Sequence, residues 1–157
     1  MITFFQFVFA MILSFIPGAI GVMFTPMGAS DMWYNALNKS ALTPAGWVFM
    51  VAWIILYALL GIALFLVMHN KRTRCPKAAS YWLFGIQMVL NALWTYLFFG
   101  MHLVALSMIV LIALIGFSFW MMNAFRQISR ASSYLVWPYL AWLIFALYLN
   151  GSILFMN

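Results

Sequence analysis

Residues 79–99 read ASYWLFGIQMVLNALWTYLFF, 21 residues without a charged side chain. A helix rises 1.5 Å per residue, so about 20 apolar residues cross the roughly 30 Å hydrocarbon core of a bilayer. Gln87 and Asn91 interrupt the stretch at i and i+4, with Trp94 at i+7, so two amides and an indole share one helix face. Amides at bilayer depth need partners, which turns this face toward another helix, water or a ligand.

Four further stretches, residues 3–24, 46–68, 103–124 and 133–155, have comparable length and apolarity. Runs such as Ile54-Ile55-Leu56 and Ile109-Val110-Leu111-Ile112 do not alternate, which excludes the short alternating strands of a membrane β-barrel. The fold class is therefore an all-α membrane protein, a five-transmembrane-helix bundle forming one domain over residues 1–157. Composition agrees: 69% of the 157 residues are hydrophobic and 5% charged, against about 25% charged in soluble domains. The first stretch lacks a basic leader and runs past signal-peptide length through Pro17 and Gly21, so it is read as retained.

Seven Lys/Arg and one acid, Asp31, give a net charge of +6. The basic residues do not cluster on the face of a soluble fold, so nucleic acid is not an expected partner. A single carboxylate excludes glycoside hydrolysis and two-metal phosphoryl transfer. Cys75, His69 and His102 lack zinc-ligand spacing, so no metal site is expected. Lys71, Arg72, Arg74 and Lys77 fall between the second and third spans, Arg126 and Arg130 between the fourth and fifth, and Lys39 alone on the opposite side. The positive-inside rule then places the amino terminus and both basic loops in the cytoplasm, with a bacterial cell membrane as the expected setting. Loop 1, residues 25–45, carries Pro26, Gly28, Asp31, Trp33, Tyr34, Lys39 and Pro44; it is long and aromatic enough to cover something.

Two other spans carry aromatic faces. Trp142, Ala146 and Asn150 are spaced by four, as are Phe49, Trp53, Tyr57 and Gly61. Trp33, Tyr34, Trp47 and Trp137 fit interfacial anchoring. Trp53, Trp94 and Trp142 lie deeper, where an indole N–H seeks an acceptor, and fit helix packing as well as ligand contact. Gln87 and Asn91 fit interhelical hydrogen bonding as readily as ligand binding. Ser14, Pro17, Gly18 and Gly21 favour close helix approach, and His69 and His102, at helix ends, are read as solvated.

The pattern Trp33-Tyr34-x-x-Leu37-x-Lys39, then Pro44-x-x-Trp47-x-Phe49-x-x-x-Trp53-x-x-x-Tyr57-x-x-x-Gly61, resembles the translocator protein family, also called tryptophan-rich sensory proteins. The likeness continues through Gln87-x-x-x-Asn91-x-x-Trp94-x-x-x-Phe98-Phe99-Gly100 and Pro138-Tyr139-Leu140-Ala141-Trp142 to Leu149-Asn150. It implies a five-helix bundle, often dimeric, whose cavity beneath loop 1 takes tetrapyrroles, sterols and drug-like ligands. Carried over by position, Trp53, Asn91, Trp94, Ala141, Trp142, Ala146 and Leu149 would line the cavity, with Trp33, Tyr34 and Pro44 in or near its lid. Tyr57, Gln87 and Asn150, from the stripes above, complete the expected ligand-binding set. The chain departs from the family's pattern at Ser40 and Ala45, where prolines are usual, which implies a less rigid lid. Leu106 and Val110 leave the fourth span's cavity face more apolar. No Lys or Arg follows Tyr139 or Tyr148 within five residues, so the forward sterol pattern fails, although reverse-order matches occur at Lys77, Tyr81, Leu83 and at Arg130, Tyr134, Val136.

The leading expectation is a membrane-embedded binding protein for porphyrin or haem, needing no other cofactor and acting in tetrapyrrole sensing, stress response or trafficking. Alternatives are light-dependent porphyrin degradation, in which Trp53 and Trp142 would be the oxidisable indoles, passive carriage of a hydrophobic ligand, and a structural subunit that docks a partner protein. No ionisable group lies within the spans, which argues against coupled transport. Small residues Ala105, Ala113 and Gly116 on the fourth span make a homodimer the expected assembly.

Overall fold

The computed structural model describes residues 2–25, 32–71 and 76–157. The described residues form six α-helices: α1 (Ile2–Val22), the short α2 (Met32–Ala36), α3 (Gly46–His69), α4 (Ala78–Thr95, continued by a wider π turn over Tyr96–Gly100), α5 (Val104–Ile128) and α6 (Arg130–Met156). All except α2 are long and apolar enough to cross a membrane, and their bounds lie within a few residues of those read from the sequence. Pro26, Gly28, Asp31, Arg72, Arg74 and Cys75 lie outside the described residues.

The five long helices pack as a closed ring in the order α1, α3, α6, α5, α4 and back to α1, and the α4–α1 seam is the least extensively packed of the five. Aliphatic and aromatic side chains from α3 to α6 fill the centre, with Leu60, Leu111, Leu114, Phe125, Tyr139 and Leu143 fully enclosed. The outer faces carry Phe4, Trp82, Ile109, Trp120 and Phe155, all exposed. Outside a membrane so much exposed apolar surface would drive aggregation; in lipid it is the matched solvent.

The small residues of α1 work as the sequence suggests. A Cβ on Gly18 would come within 2.7 Å of the Tyr57 ring, and one on Gly61 within 2.6 Å of Met11 Sδ and 3.2 Å of Met11 Cα. Without a hydrophobic drive between helices in lipid, such close approach supplies the dispersion contact that holds α1 to α3.

One connection is tighter than expected. α5 continues to Ile128 and α6 begins at Arg130, so Arg126 and Arg130 occupy helical turns and not a loop. Ser129 alone separates the helices, its hydroxyl accepting from Ser132 N–H at 3.3 Å, and a side-chain cap of this kind satisfies a helix start without spending further residues. Asn70 at the end of α3 donates to the Ile128 carbonyl and Lys77 Nζ to the Met68 carbonyl at 3.0 Å. Lys71, Lys77, Arg126 and Arg130 thus gather at one end of the bundle, and Lys39 stands at the other.

Candidate functional site

Two polar systems occupy the interior, at different depths. The deeper one joins α3, α4 and α6. Tyr57 donates to Asn91 Oδ1 at 2.7 Å, Asn91 Nδ2 donates to the Tyr139 hydroxyl at 3.0 Å, and that hydroxyl donates to Gln87 Oε1 at 2.8 Å. Gln87, Asn91 and Tyr139 are fully buried. The i, i+4 amides therefore serve first as interhelical ties, one of the two readings their spacing allowed. Trp53 roofs this system, its ring 5.3 Å from Tyr57, 6.3 Å from Tyr139 and 5.8 Å from Trp94.

Beyond Trp94, toward the lid, lies a small cleft lined by Tyr34, Phe49, Trp94, Phe98, Phe99, Ala146, Leu149, Asn150 and Ile153. The π turn that ends α4 carries Phe98 and Phe99; one extra residue in a helical turn re-aims the side chains that follow, a geometry frequent at functional sites. Asn150 on α6 donates to Ser107 Oγ on α5 at 2.8 Å while its own Oδ1 has no partner among the described residues. The indole N–H groups of Trp94 and Trp142 are also buried and unpartnered there. Trp142 reaches the cleft through Phe49, 5.9 Å away between ring centres. An unpaired buried polar group costs about 1–3 kcal/mol; Gln87 Nε2 in the deeper layer and Ser118 Oγ on α5 are unpartnered too, so three of the five such atoms among the described residues lie in or beside the cleft.

The free space of the cleft is about 30 Å³, close to one water molecule's share of the liquid. Its roof is α2 and the segment after it. Trp33 stacks on His102 with centroids 3.9 Å apart and planes at 12°, and Tyr34 packs on Phe98 and Phe99. His102 sits in the α4–α5 turn at φ 59°, a left-handed conformation uncommon for a side-chain-bearing residue, which presents its ring to the lid. Burial raises the Tyr34 phenol above its usual value, keeping it a neutral hydroxyl. Lys39 braces the segment from within: Nζ donates to the Tyr34 carbonyl at 2.6 Å and the Leu37 carbonyl at 3.1 Å, and lies 4.7 Å from the Tyr34 ring centre. Asn38 and Asn157 exchange backbone-to-amide bonds at 2.9 and 3.1 Å, and Ser40 Oγ meets the Tyr148 hydroxyl at 2.8 Å. Ser40, read as loosening the lid, instead supplies a latch to α6 that proline could not form.

Of the expected ligand-binding residues, Tyr34, Trp94, Ala146, Leu149 and Asn150 line the cleft, Trp142 abuts it and Trp33 lies over it. Trp53, Tyr57, Gln87 and Asn91 lie deeper, in the packed and hydrogen-bonded layer. Two expectations need correction. Ala141 is exposed, because the turn of α6 that buries Leu140 and Leu143 points it outward; Pro44, expected in or near the lid, lies half-buried between the lid segment and α3 and is not a lining residue. Leu106, read as part of a cavity face, is exposed as well. Tyr139, Phe98, Phe99 and Ile153 were not singled out as site residues. Tyr139 could have been, since a hydroxyl three residues before Trp142 at bilayer depth needs a partner for the same reason Asn91 does.

The pattern that defines the TspO/MBR family matches residues 9–156. The chain is 36% identical over 140 residues to the tryptophan-rich protein TspO of Chlorobaculum tepidum, covering 89% of this chain and 88% of that one. It is 35% identical to protein CrtK of Rhodobacter capsulatus, over 89% of this chain and 85% of the relative. To the translocator protein of Homo sapiens it is 32% identical, over 78% and 73%.

Proposed function

This chain belongs to the TspO/MBR family, and on that premise we propose that it is a membrane-embedded binding protein for flat, porphyrin-type ligands, taken up beneath the lid at the Trp94–Asn150 cleft, in the service of tetrapyrrole sensing or trafficking. The observation that carries the reading is the set of three buried, unpartnered polar atoms, Trp94 Nε1, Trp142 Nε1 and Asn150 Oδ1, around an otherwise aromatic cleft. A porphyrin matches that chemistry: a broad π face for Phe49, Phe98 and Phe99, carboxylates that accept from indole N–H groups, and pyrrole N–H groups that an amide oxygen can accept. With about 30 Å³ of free space the cleft is too small for such a molecule, so binding requires the lid to lift and the aromatic side chains to part, and the hydrogen-bonded latches at Asn38 and Ser40 are the contacts that would open.

The test is titration of purified protein with protoporphyrin and with haem, followed by tryptophan fluorescence, in wild type, Trp94→Phe, Trp142→Phe and Trp120→Phe. Trp120 faces lipid and serves as the control. Loss of one buried polar contact corresponds to roughly tenfold in affinity, so saturable quenching weakened about tenfold in the first two variants and unchanged in the third is expected. Equal affinity in all four proteins, or quenching that never saturates, would reject the site.

A further inference from the structure

The α4–α1 seam, the slimmest join in the ring, encloses a second and far larger space. A groove of about 330 Å³ lies at the basic end of the bundle, lined by Phe9 and Leu13 of α1, Leu64 and Met68 of α3, and Tyr81 and Phe84 of α4. Its floor, Leu64 and Phe84, belongs to the central core, while Phe9 on its rim is exposed, so the groove opens outward to the bilayer. None of this belongs to the lid-covered cleft, which lies at the opposite end.

The mouth of the groove is positively charged. Lys77 Nζ donates to the carbonyl of Met68, itself a lining residue, which fixes the ammonium at the rim with two further N–H donors to offer. Tyr81 stands one turn further along the same face of α4 and is partly exposed. α4 begins at Ala78 with no side-chain cap and no acidic residue in its first turn, so its first N–H groups add positive potential beside Lys77. The chain's one acid, Asp31, falls in loop 1 of the sequence, outside the described residues.

We propose that this groove binds one anionic phospholipid, an acyl chain lying in the α1–α3–α4 groove and the phosphate held by Lys77, Tyr81 and the start of α4. Charge complementarity selects the occupant: an apolar slot open to lipid with a cationic, donor-rich rim fits a chain ending in a phosphate, whereas a sterol hydroxyl would leave the charge unused. The lipid completes the seam that α1 and α4 leave slim.

Native mass spectrometry of the purified protein, offered equal amounts of phosphatidylglycerol and phosphatidylcholine with the same acyl chains, separates headgroup from chain. Wild type should retain phosphatidylglycerol over phosphatidylcholine by about tenfold. Lys77→Gln, which keeps a donor for the Met68 carbonyl and does not threaten the fold, should bring the two to parity; Leu13→Trp, which fills the groove from its rim, should lose both. Equal retention of the two lipids by wild type, a ratio unchanged in Lys77→Gln, both adducts surviving Leu13→Trp, or displacement of phosphatidylglycerol by an equimolar sterol would each overturn the proposal. Porphyrin binding at the lid end plays no part in these readings.

Discussion

Asn150→Leu is expected to weaken ligand binding while leaving the protein as stable or more so. In the folded protein Asn150 makes one hydrogen bond, Nδ2 to Ser107 Oγ at 2.8 Å, and buries Oδ1 without a partner. Side-chain bonds between membrane helices average about 0.6 kcal/mol, because the unfolded state in the bilayer finds partners too. An unsatisfied buried acceptor costs about 1–3 kcal/mol. Leucine removes both terms while keeping the same branched heavy-atom skeleton, and Ser107 keeps its own bond to the Val104 carbonyl at 2.8 Å, so no new unpaired donor is created. The balance is a change between about zero and 2 kcal/mol in favour of the variant. Reversible unfolding by dodecyl sulfate in mixed micelles, read by far-ultraviolet circular dichroism, measures it, and protoporphyrin titration should show affinity reduced about tenfold. A variant destabilised by more than about 2 kcal/mol that still binds porphyrin as wild type does would show Asn150 to be a structural tie, and the reasoning would fail.

In the deeper layer, Tyr57→Phe and Asn91→Leu should each destabilise by about 1 kcal/mol, but the double variant by less than their sum, since removing both partners leaves fewer unpaired atoms than removing one; strict additivity within about 0.5 kcal/mol would show the two side chains to be uncoupled. Gly61→Val drives a side chain into Met11 and Ser14 and should cost about 1–3 kcal/mol, seen as a lower dodecyl sulfate midpoint, whereas Gly85→Ala, where a Cβ meets nothing within 4 Å, should leave the midpoint in place. Asn157→Ala combined with Ser40→Ala, which removes the amide bonded to the Asn38 backbone and the hydroxyl bonded to Tyr148, should speed porphyrin association in stopped-flow fluorescence by up to about tenfold at unchanged thermal stability, because those bonds join lid to α6 at the exposed surface and would break before the ligand enters. An unaltered association rate would place the slow step elsewhere.

The five spans were legible because membrane helices must satisfy every backbone group within the segment, which forces about 20 apolar residues into an unbroken run. The i, i+4 spacing of Gln87 and Asn91 identified an inward face of α4, but not what it meets. That answer depends on Tyr139, which sits on α6, 48 residues from Asn91, and only the order of helices around the ring brings it opposite. Ala141 went astray for a related reason. Matching by position assigns it to a cavity, yet a residue's facing is set by the rotation of its helix, and Leu140 and Leu143 claim the buried side of that turn. The π turn after Thr95 was equally invisible, since Tyr96-Leu97-Phe98-Phe99-Gly100 has the composition of any apolar helix end.

The separation of the two polar layers says most about where binding belongs. Asn91 spends both atoms of its amide on tyrosines from two other helices, and such interhelical bonds rigidify the bundle, while Gln87 gives only its Oε1 to the network and its Nε2 has no partner among the described residues. Trp94, one turn nearer the lid on the same face of α4, has no acceptor for its N–H among the described residues, although it is as deeply buried as the core around it. On this face Asn91 has both amide atoms bonded, whereas Gln87 Nε2 one turn before it and Trp94 Nε1 one turn after it have no partner among the described residues. Of these, Trp94 is the one that lies against the π turn, near the left-handed His102 and the lid. Five buried side-chain atoms have no partner among the described residues: Gln87 Nε2 in the deeper layer, Ser118 Oγ on α5, and Trp94 Nε1, Trp142 Nε1 and Asn150 Oδ1 in or beside the cleft, so three of the five gather toward the lid. If the proposed ligand enters beneath the lid, the packed layer beneath Trp53 is the rigid floor against which that opening would work.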